Sequence, residues 1–341
     1  MKIFVNASNI HTGGGKVILN DFLCATNYFS DINFEIYIDY RFDYTELKRK
    51  NVSFTKTKKY QRYKVCFDIN KKTHKEDIVI YLTNIPPVVK HKCKTILVQS
   101  NRFVIDYFSL SGFSIITKIR IYVERFLFKV NINNVDYIVV QSDSMFSVLQ
   151  KNGIDISKIF VIAYMDKKEN QKIISDEIKK NKNVFLYVSS DDPHKNHKKL
   201  IEAWVLLSNE NIYPKLILTI DENTRLYSYI IKYVNKYGLN IDIISNLGRK
   251  NLLSLYKQSS ALIFPSLFES YGLPLVEANH FKLPVLASEL DYVRDILDPI
   301  ETFDPNSAKS ILRSVKRFLK MKDKKTEVVQ PKDFIIRVIN L

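Results

Sequence analysis

The sequence predicts an α/β protein with two parallel β-sheets, each covered by helices. Strand-like and helix-like segments alternate along the chain and start afresh in its second half, which is typical of parallel sheets with helical crossovers. The chain has 341 residues, whereas a single hydrophobic core stops growing at about 250–300 residues, so we expect two domains. Hydrophobic residues make up 46% and charged residues 26%, which excludes a disordered chain, a collagen and a small disulfide-stapled scaffold.

The first half begins with the apolar run Lys2–Ala7, which is the first predicted strand. Three glycines follow at positions 13–15, and apolar residues at helical spacing predict a helix over residues 16–29. Other short apolar segments predict strands, in chain order, at residues 35–39, 78–82, 95–99 and 137–141. The first half therefore reads as one complete parallel sheet.

The second half repeats this pattern. Residues 184–189 predict a strand, which a loop and a helix over residues 199–207 follow. Further strands are predicted at residues 215–220 and 261–264. Between the halves, residues 165–183 are charged and show little apolar pattern. We therefore predict a domain boundary there, with one domain over residues 1–165 and the other over residues 166–325.

The net charge indicates the kind of partner, and the cysteines indicate the compartment. The 52 basic and 36 acidic residues give a net charge of +16, so we expect an anionic partner such as nucleic acid, phosphate groups or a lipid surface. Residues 1–165 alone hold 24 basic and 14 acidic residues. Cys24, Cys66 and Cys93 show no CxxC spacing, which argues against a zinc ribbon and for a reducing compartment. The polar N-terminus and the lack of an apolar run of about 18 residues predict a cytoplasmic protein without a membrane span.

The strongest functional signal is the segment FPSLFESYGLPLVEANHFKLPVLAS, at residues 264–288. A predicted strand ends at Phe264, and Pro274 suits the first position of a helix after the loop. Glu269 lies in the loop and Glu277 about one turn inside the helix, so both should face one cleft at the carboxyl end of a parallel strand. The loop amides and the helix N-terminus form an anion site, and a carboxylate such as Glu277 can accept two hydrogen bonds from a ribose diol.

This segment, with its Glu269-x7-Glu277 spacing, resembles the signature of family 4 retaining glycosyltransferases of the GT-B fold, also described as glycosyl transferases group 1. Three further segments agree with the family in order and spacing: VSSDDPHKNHKKLIEAW at residues 188–204, NLGRKNLLSLYKQSSALIFPS at residues 246–266, and the glycine-rich loop at residues 6–15. The resemblance implies two Rossmann-like domains that face each other across a cleft. Residues 1–165 would be the acceptor side and residues 166–325 the donor side, and residues 326–341 would pack back on the first domain.

The family implies a role for each matching residue. Glu277 would bind the nucleotide ribose, Glu269 would contact the donor sugar near the reaction centre, and Lys195 would neutralise the leaving diphosphate. The other donor-binding residues that the resemblance implies are Gly14, Gly15, Gly248, Arg249, Ser270, Tyr271, Gly272 and Leu273. The N-terminal glycines would admit the diphosphate, Gly248 would let the base approach the backbone, and the amides after Glu269 would hold phosphate and sugar.

The chain departs from the family pattern at three places. An arginine usually lies five residues before the lysine, but here that position is Ser190, so Arg249 or another cation would have to supply the charge. A histidine is expected in the N-terminal domain after the strand at residues 95–99, but the local sequence is QSNRF. Lys282 stands where the family has a glycine.

The resemblance implies transfer of a sugar, with retention at the anomeric carbon, from a nucleotide-sugar to a glycan or lipid-diphosphate-linked acceptor in bacterial surface polysaccharide assembly. We expect no cofactor and no required metal, because no Asp-x-Asp triplet occurs and backbone amides with Lys195 can hold a diphosphate. His194 and His197 form an HxxH pair that we expect at the surface and not on a metal, since no third ligand is near in sequence. Two alternatives are another GT-B activity, such as a sugar-nucleotide epimerase or a phosphorylase, and a basic nucleic-acid-binding protein. No nucleic-acid-binding signature supports the second, so nucleic acid is not an expected partner.

Two basic regions predict peripheral contact with an anionic membrane surface, on the inner face of the cytoplasmic membrane. Residues 48–64 hold eight Lys or Arg and no acid, with three aromatic residues among them, Phe54, Tyr60 and Tyr63. Residues 113–130 are aromatic and aliphatic and contain four basic residues, Lys118, Arg120, Arg125 and Lys129. The alternatives are a solvated loop for the first region and a helix facing the core for the second.

Overall fold

The computed structural model describes residues 1–44, 50–58, 61–164, 183–245, 247–321 and 337–339. Two β-sheets, one in each half of the chain, consist of parallel strands and are covered by helices. The α/β class and the two-sheet organisation predicted from the sequence are confirmed. In the described part of the chain, no helix is both long and apolar enough to span a membrane.

The first sheet has seven described strands in the order β3-β2-β1-β4-β5-β6-β7, and each neighbouring pair is parallel. These strands are β1 (Lys2–Ala7), β2 (Asn33–Asp39), β3 (Val52–Thr57), β4 (Ile78–Tyr81), β5 (Lys94–Val98), β6 (Tyr137–Val140) and β7 (Ile159–Val161). Its helices are α1 (Gly13–Ala25), α2 (Arg62–Lys72), α3 (Arg102–Ile105), α4 (Ile115–Asn131) and α5 (Asp143–Lys151), with 3-10 turns at Thr26–Tyr28, Ile132–Asn134 and Ile156–Lys158.

The second sheet has six described strands in the order β10-β9-β8-β11-β12-β13, again with every pair parallel. These strands are β8 (Val184–Tyr187), β9 (Lys215–Leu218), β10 (Ile241–Ile243), β11 (Ala261–Phe264), β12 (Val285–Ser288) and β13 (Glu301–Phe303). Its helices are α6 (His197–Asn209), α7 (Arg225–Tyr237), α8 (Arg249–Gln258), α9 (Leu273–His280), α10 (Asp291–Arg294) and α11 (Ala308–Phe318), with a 3-10 turn at Pro193–Lys195.

The predicted strands are all present, with ends that differ from the predicted ones by at most two residues. Strands β8, β11 and β12 are buried at every position, as expected for a parallel sheet that helices cover on both faces. The predicted helix over residues 16–29 is α1, which begins at the glycines and ends at Ala25 before a 3-10 turn. Five strands were not predicted: β3, β7, β10, β12 and β13.

The predicted domain limits lie outside the described residues. The first sheet ends at Val161 and the second begins at Val184, so the two sheets lie on either side of the predicted boundary at residues 165–183. The boundary itself stays a prediction, because residues 165–182 are not described. The predicted return of residues 326–341 to the first domain also stays a prediction, since only residues 337–339 of that segment are described.

Aromatic rings join the two domains beside the cleft. The ring of Phe268, in the loop after β11, lies 4.6 Å from Phe103 and 4.4 Å from Phe108, measured between centroids. The ring of His194 lies 5.0 Å from that of Phe103. Ser142 Oγ also donates to the carbonyl of Ser270 at 2.9 Å. Rings and hydrogen bonds therefore cross between the domains next to the loop that carries the predicted site.

The two basic regions adopt different structures. In residues 48–64, Arg62 donates to the buried carboxylate of Asp39 at 3.1 Å, and Phe54 packs on the core beside Tyr44. Tyr60 lies outside the described residues. Arg62 and Phe54 are thus engaged inside the domain. Residues 113–130 form most of α4, and seven of its apolar side chains are exposed. This excludes the alternative of a helix that faces only the core, and the membrane contact stays a prediction.

Candidate functional site

A cavity of about 660 Å³ lies between the two domains, and residues of both line it. This volume is typical of a small-molecule site. The predicted site residues that line it are Gly14, Gly15, Lys195, Arg249, Glu269, Ser270, Tyr271, Gly272, Leu273 and Glu277. The structure therefore brings all but one of the predicted residues together, although nothing in it tests their roles.

The exception is Gly248, which precedes α8 and is not among the residues that line the cavity. Arg249, the next residue, does line it. Apart from Gly248 itself and its neighbours along the chain, no atom of the described residues lies within 4 Å of the position that a Cβ would take there. A ligand base could approach this glycine from open space, which leaves its predicted role untested.

The loop that follows β8 carries Lys195 into the cavity. Tyr187 donates its hydroxyl to the carbonyl of Lys195 at 2.7 Å. Asn196, in the left-handed conformation at φ 62°, donates its side-chain amide to the carbonyls of Pro265 and Pro305. Hydrogen bonds to the backbone of Lys195 and from the side chain of Asn196 therefore fix this loop without using the lysine side chain.

Lys195 forms an ion pair with Glu269 across the loops that follow β8 and β11. Its Nζ donates to Glu269 Oε1 at 2.7 Å, and the two side chains are only 16% and 11% exposed. The residues are 74 positions apart in sequence. They meet because β8 and β11 are neighbours in the sheet, so the loops at their carboxyl ends lie side by side.

Glu277 forms the second ion pair of the cavity, with Arg249. Gly272, at φ 75°, makes the left-handed turn into α9, and Pro274 lies in the first turn of that helix. Glu277 is one turn further and is almost completely buried. Arg249 is the first residue of α8. Each of the two signature carboxylates is thus neutralised by a cation from a different element, which the sequence did not predict.

The glycine-rich segment approaches the C-terminal domain closely. A Cβ at Gly14 would lie 3.1 Å from Leu273 Cδ1, which is closer than ordinary contact. Leu273 is the first residue of α9. A side chain at position 14 would therefore press against the opposite domain at the start of α9.

We expect Gly14→Val to weaken binding of a nucleoside diphosphate roughly 10-fold, because forcing a side chain into a packed contact costs about 1–3 kcal/mol. The domains would have to separate to accommodate it. Gly14→Ala should have a smaller effect in the same direction. Titration of both variants by calorimetry measures this series, and equal affinity in all three proteins would show that the contact with Leu273 does not limit the cleft.

The structure shows the surroundings of each departure from the family pattern. Ser190 donates to Asp192 and brings no positive charge. Arg102, in the segment that lacks the expected histidine, lines the cavity. Its guanidinium lies 4.6 Å from the centroid of Phe268 and donates to the carbonyl of Glu269 at 3.3 Å. Lys282 has φ 51°, a left-handed conformation that favours the glycine of the family.

Sequence reasoning missed Arg102 as a residue of the cavity, because it considered that segment only for the histidine it lacks. Arg102 also pairs with Asp106 at 2.9 Å. Arg120 of α4 lines the cavity as well. The N-terminal domain therefore supplies two arginines to a cavity for which the sequence predicted only glycines from that side.

The expectation that His194 and His197 lie at the surface was wrong. Both side chains are buried, and burial lowers the pKa of each to about 4. His197 Nε2 lies 2.9 Å from Ser189 Oγ and 2.8 Å from the carbonyl of Ser190. The two rings pack around the loop of Lys195. In the described part of the chain, no group of three or more His, Cys, Asp or Glu could hold a metal.

Comparison with known proteins relates the second half of the chain to a family of glycosyltransferases. Residues 168–331 match the sequence model of the family described as glycosyl transferases group 1. The O-antigen chain mannosyltransferase RfbU of Salmonella typhimurium is 25% identical over 205 residues, which are 58% of this chain and 55% of that protein. The serotype-specific mannosyltransferase WbdA of Escherichia coli is 31% identical over 114 residues, or 33% of this chain and 14% of that protein. The chain thus spans about half of RfbU and a small part of WbdA.

The overall architecture matches a solved structure along most of the chain. The crystal structure of HepE from Anabaena in complex with UDP and glucose superposes with a TM-score of 0.65 and 15% identity, covering 94% of this chain and 90% of that one. At this identity the likeness concerns the fold, and it agrees with the two parallel sheets on either side of a cleft. The chain therefore has the two-domain GT-B fold, and residues 168–331 match the sequence model of the glycosyl transferases group 1 family.

Proposed function

We propose that the protein is a retaining glycosyltransferase that moves a sugar from a nucleotide-sugar donor to a glycan or lipid-diphosphate-linked acceptor. The observation that carries the proposal is the convergence of Lys195, Glu269 and Glu277 on one cavity at the carboxyl ends of β8 and β11. Ligands of open α/β sheets bind at this edge. The family match over residues 168–331 supports the reaction class.

The relatives support the substrate class and the cellular process. The HepE structure contains UDP and glucose, which favours a nucleoside diphosphate sugar as the donor here. RfbU is an O-antigen chain mannosyltransferase, and the WaaB structure, which superposes with 18% identity and a TM-score of 0.61, is that of a lipopolysaccharide outer core galactosyltransferase. We place this protein in the same kind of process, bacterial surface polysaccharide assembly.

Donor binding in this scheme requires the ion pairs to rearrange. The carboxylate of Glu277 accepts hydrogen bonds from the ribose hydroxyls and gives up its contact with Arg249. The guanidinium can then turn to the diphosphate and supply the charge that Ser190 lacks. The amides of Tyr271, Gly272 and Leu273 hold the phosphates at the start of α9, where the helix dipole favours an anion.

Lys195 stabilises the charge that develops on the diphosphate as its bond to the anomeric carbon breaks. The acceptor hydroxyl oxygen bonds to the face of the anomeric carbon that the diphosphate leaves, which gives retention, and the hydroxyl proton passes to an oxygen of the departing diphosphate. Glu269 holds the lysine in place and lies beside the donor sugar. This arrangement of amides and cations stabilises a diphosphate without a metal ion, so the proposal includes no cofactor.

The proposed location is peripheral, at an anionic membrane surface on the cytoplasmic side, where a lipid-linked acceptor would be presented. The excess of basic over acidic residues in positions 1–165, 24 against 14, supports this location. Basic residues near an anionic leaflet contribute about 1 kcal/mol each. The donor-binding domain would face the aqueous phase, from which a soluble nucleotide-sugar arrives.

Thermal unfolding with nucleotides tests the function. In the presence of EDTA, UDP or GDP at about 100 times its Kd should stabilise the protein by roughly 2.7 kcal/mol, and hydrolysis of the cognate nucleotide-sugar should persist. The anomeric configuration of the transferred sugar, followed by NMR, should be retained.

Two outcomes would contradict this proposal. Stabilisation by oligonucleotides but by no nucleoside diphosphate would favour a nucleic-acid-binding protein. Loss of nucleotide binding and of hydrolysis on chelation, restored by manganese or magnesium, would show that the site depends on a metal.

A further inference from the structure

We infer that α4 (Ile115–Asn131) is the membrane-docking surface of this protein, with its exposed apolar side chains inserted at the surface of an anionic bilayer. The inference rests on the membrane contact in the proposed function and names the element responsible. It also selects the second of the two basic regions that the sequence predicted to contact the membrane, residues 113–130, because Arg62 and Phe54 of the first region are engaged within the domain.

The outer side of α4 is apolar. Seven apolar side chains of this helix are between 48% and 81% exposed: Ile115, Ile116, Ile119, Tyr122, Val123, Phe126 and Val130. At 3.6 residues per turn they fall within an arc of about 120°. The buried residues Ile121, Phe128 and Asn131 lie on the opposite side. The helix therefore has one apolar face against its own domain and another toward solvent, whereas a surface helix usually turns polar residues outward.

Hydrogen bonds within its own domain hold α4 in place. Ser114 Oγ accepts from the amide of Thr117 and caps the N-terminus. Arg125 donates to the carbonyls of Phe103 and Asp106 at 2.8 and 2.7 Å. The exposed face is thus preorganised, and its apolar residues are not exposed by fraying.

The charges around this face favour an anionic surface. Lys118 and Lys129 lie along one edge of the apolar arc, and Arg120 lies along the other. The sole acidic residue of α4 is Glu124, whose side chain is 26% exposed and lies 3.8 Å from Arg120. A stripe of apolar and aromatic residues with cations at its borders is the pattern of helices that lie in the plane of a membrane interface.

The same features argue against a protein partner on this face. A stable protein interface takes about 20–30 residues from each side, whereas this stripe has seven side chains. A second copy of the chain would also bring a net charge of +16 against the same positive rim, which opposes close approach. A bilayer requires neither a matching surface nor an opposing fold.

The position of α4 links the bilayer to the cavity. Arg120 and Ile121 line the cavity, while Ile119 and Tyr122, the residues on either side of them, face outward. The helix itself, with a diameter of about 10–12 Å including side chains, therefore separates the proposed membrane surface from the site. A lipid-linked acceptor in the leaflet that contacts the protein would carry its diphosphate and sugar close to the cleft.

Vesicle binding by the full-length protein tests the inference. The triple variant Ile119→Ser, Tyr122→Ser and Phe126→Ser removes the centre of the stripe, and its partition onto phosphatidylglycerol–phosphatidylethanolamine vesicles should fall about 100-fold. The matched control, Tyr213→Ser with Ile300→Ser, changes exposed apolar residues of the other domain and should bind as the unchanged protein does. Stabilisation by UDP should be equal in all three proteins, so that failure of vesicle binding and failure of the proposed function are told apart.

The charged border is tested separately. Lys118→Gln with Lys129→Gln should lower the partition onto the anionic vesicles about 30-fold at low ionic strength. The reduction should diminish as salt is added, because exposed charges are then screened. Binding to phosphatidylcholine vesicles should not change. If the double variant lowered binding to anionic and to phosphatidylcholine vesicles by the same factor, the electrostatic part of the inference would be overturned.

The fluorescence of a tryptophan introduced into α4 tests whether the helix contacts the bilayer. Phe126→Trp should show a blue-shifted emission on anionic vesicles and quenching by brominated lipid, whereas Ile300→Trp should show neither. Vesicle binding by the triple variant at the level of the unchanged protein would overturn the inference. So would a concentration-dependent dimer of the unchanged protein that the triple variant loses, since the face would then join two copies.

Discussion

Lys195→Ala is expected to lower turnover about 100–1,000-fold, which is the usual cost of removing a group that stabilises charge developing in the transition state. Donor affinity should change much less, because the amides at the start of α9 and the carboxylate of Glu277 remain. The loop should keep its structure, since Tyr187 and Asn196 hold it through contacts that do not involve the lysine side chain. Steady-state kinetics with the cognate donor, together with calorimetric donor titration, separate the two effects.

Lys198→Ala is the matched control, since this lysine lies on the exposed side of α6 and outside the cavity. Its turnover should equal that of the unchanged protein. Lys195→Ala also leaves the carboxylate of Glu269 without its ion-pair partner, so Glu269→Gln should be added in the same background. If neutralising Glu269 restored turnover, the lysine would serve to balance that carboxylate. Near-normal turnover in Lys195→Ala alone would assign the role to another cation, with Arg249 the first to examine.

Glu277→Ala is expected to weaken donor binding about 10–100-fold, because hydrogen bonds to a charged group are worth roughly 1.5–3 kcal/mol. The loss should be specific to the ribose. A donor analogue whose ribose lacks both hydroxyls should bind the unchanged protein more weakly by a similar factor, and Glu277→Ala should no longer distinguish it from the normal donor. This cycle isolates the contact between carboxylate and ribose.

Because Glu277 forms an ion pair with Arg249, the Glu277→Ala variant needs controls for the loss of charge. Removing Glu277 leaves that guanidinium without its carboxylate inside the cavity, and this alone could alter binding of an anionic donor. Glu277→Gln keeps the shape of the side chain and removes its charge, and Glu202→Ala breaks a surface ion pair with Lys199. Equal discrimination between the two donors in Glu277→Ala and the unchanged protein would remove the ribose assignment.

The sequence predicted the central strands and the loop–helix unit of the site because both depend on local patterns. Strands β8 and β11 are short apolar runs with turn residues after them, and Pro274 marks the start of α9. Strands β10 and β13 have three residues each, which is too short for any periodicity. Strand β3 was missed because most of its residues are polar or exposed, as befits the edge of a sheet.

What the sequence could not supply is the pairing of residues that lie far apart along it. Lys195 and Glu269 were each assigned a role, but their ion pair depends on β8 and β11 being neighbours in the sheet. The buried histidines were missed for a related reason. Histidine is a polar residue and is usually expected at the surface. The aromatic residues that cover His194, Phe103 and Phe113, come from the other domain.

The two buried histidines couple the loop of Lys195 to proton binding. An unfolded histidine has a pKa of about 6.5, whereas burial lowers the pKa of both His194 and His197 to about 4. Between these values the unfolded chain binds protons that the folded chain does not, so the free energy of unfolding falls as the pH falls. The contribution of each ring is complete above pH 6.5 and is on the order of 3 kcal/mol. Acid therefore lowers the stability of the fold partly through the loop that carries Lys195 into the cavity, and the structure of that loop depends on two rings that stay uncharged above pH 4.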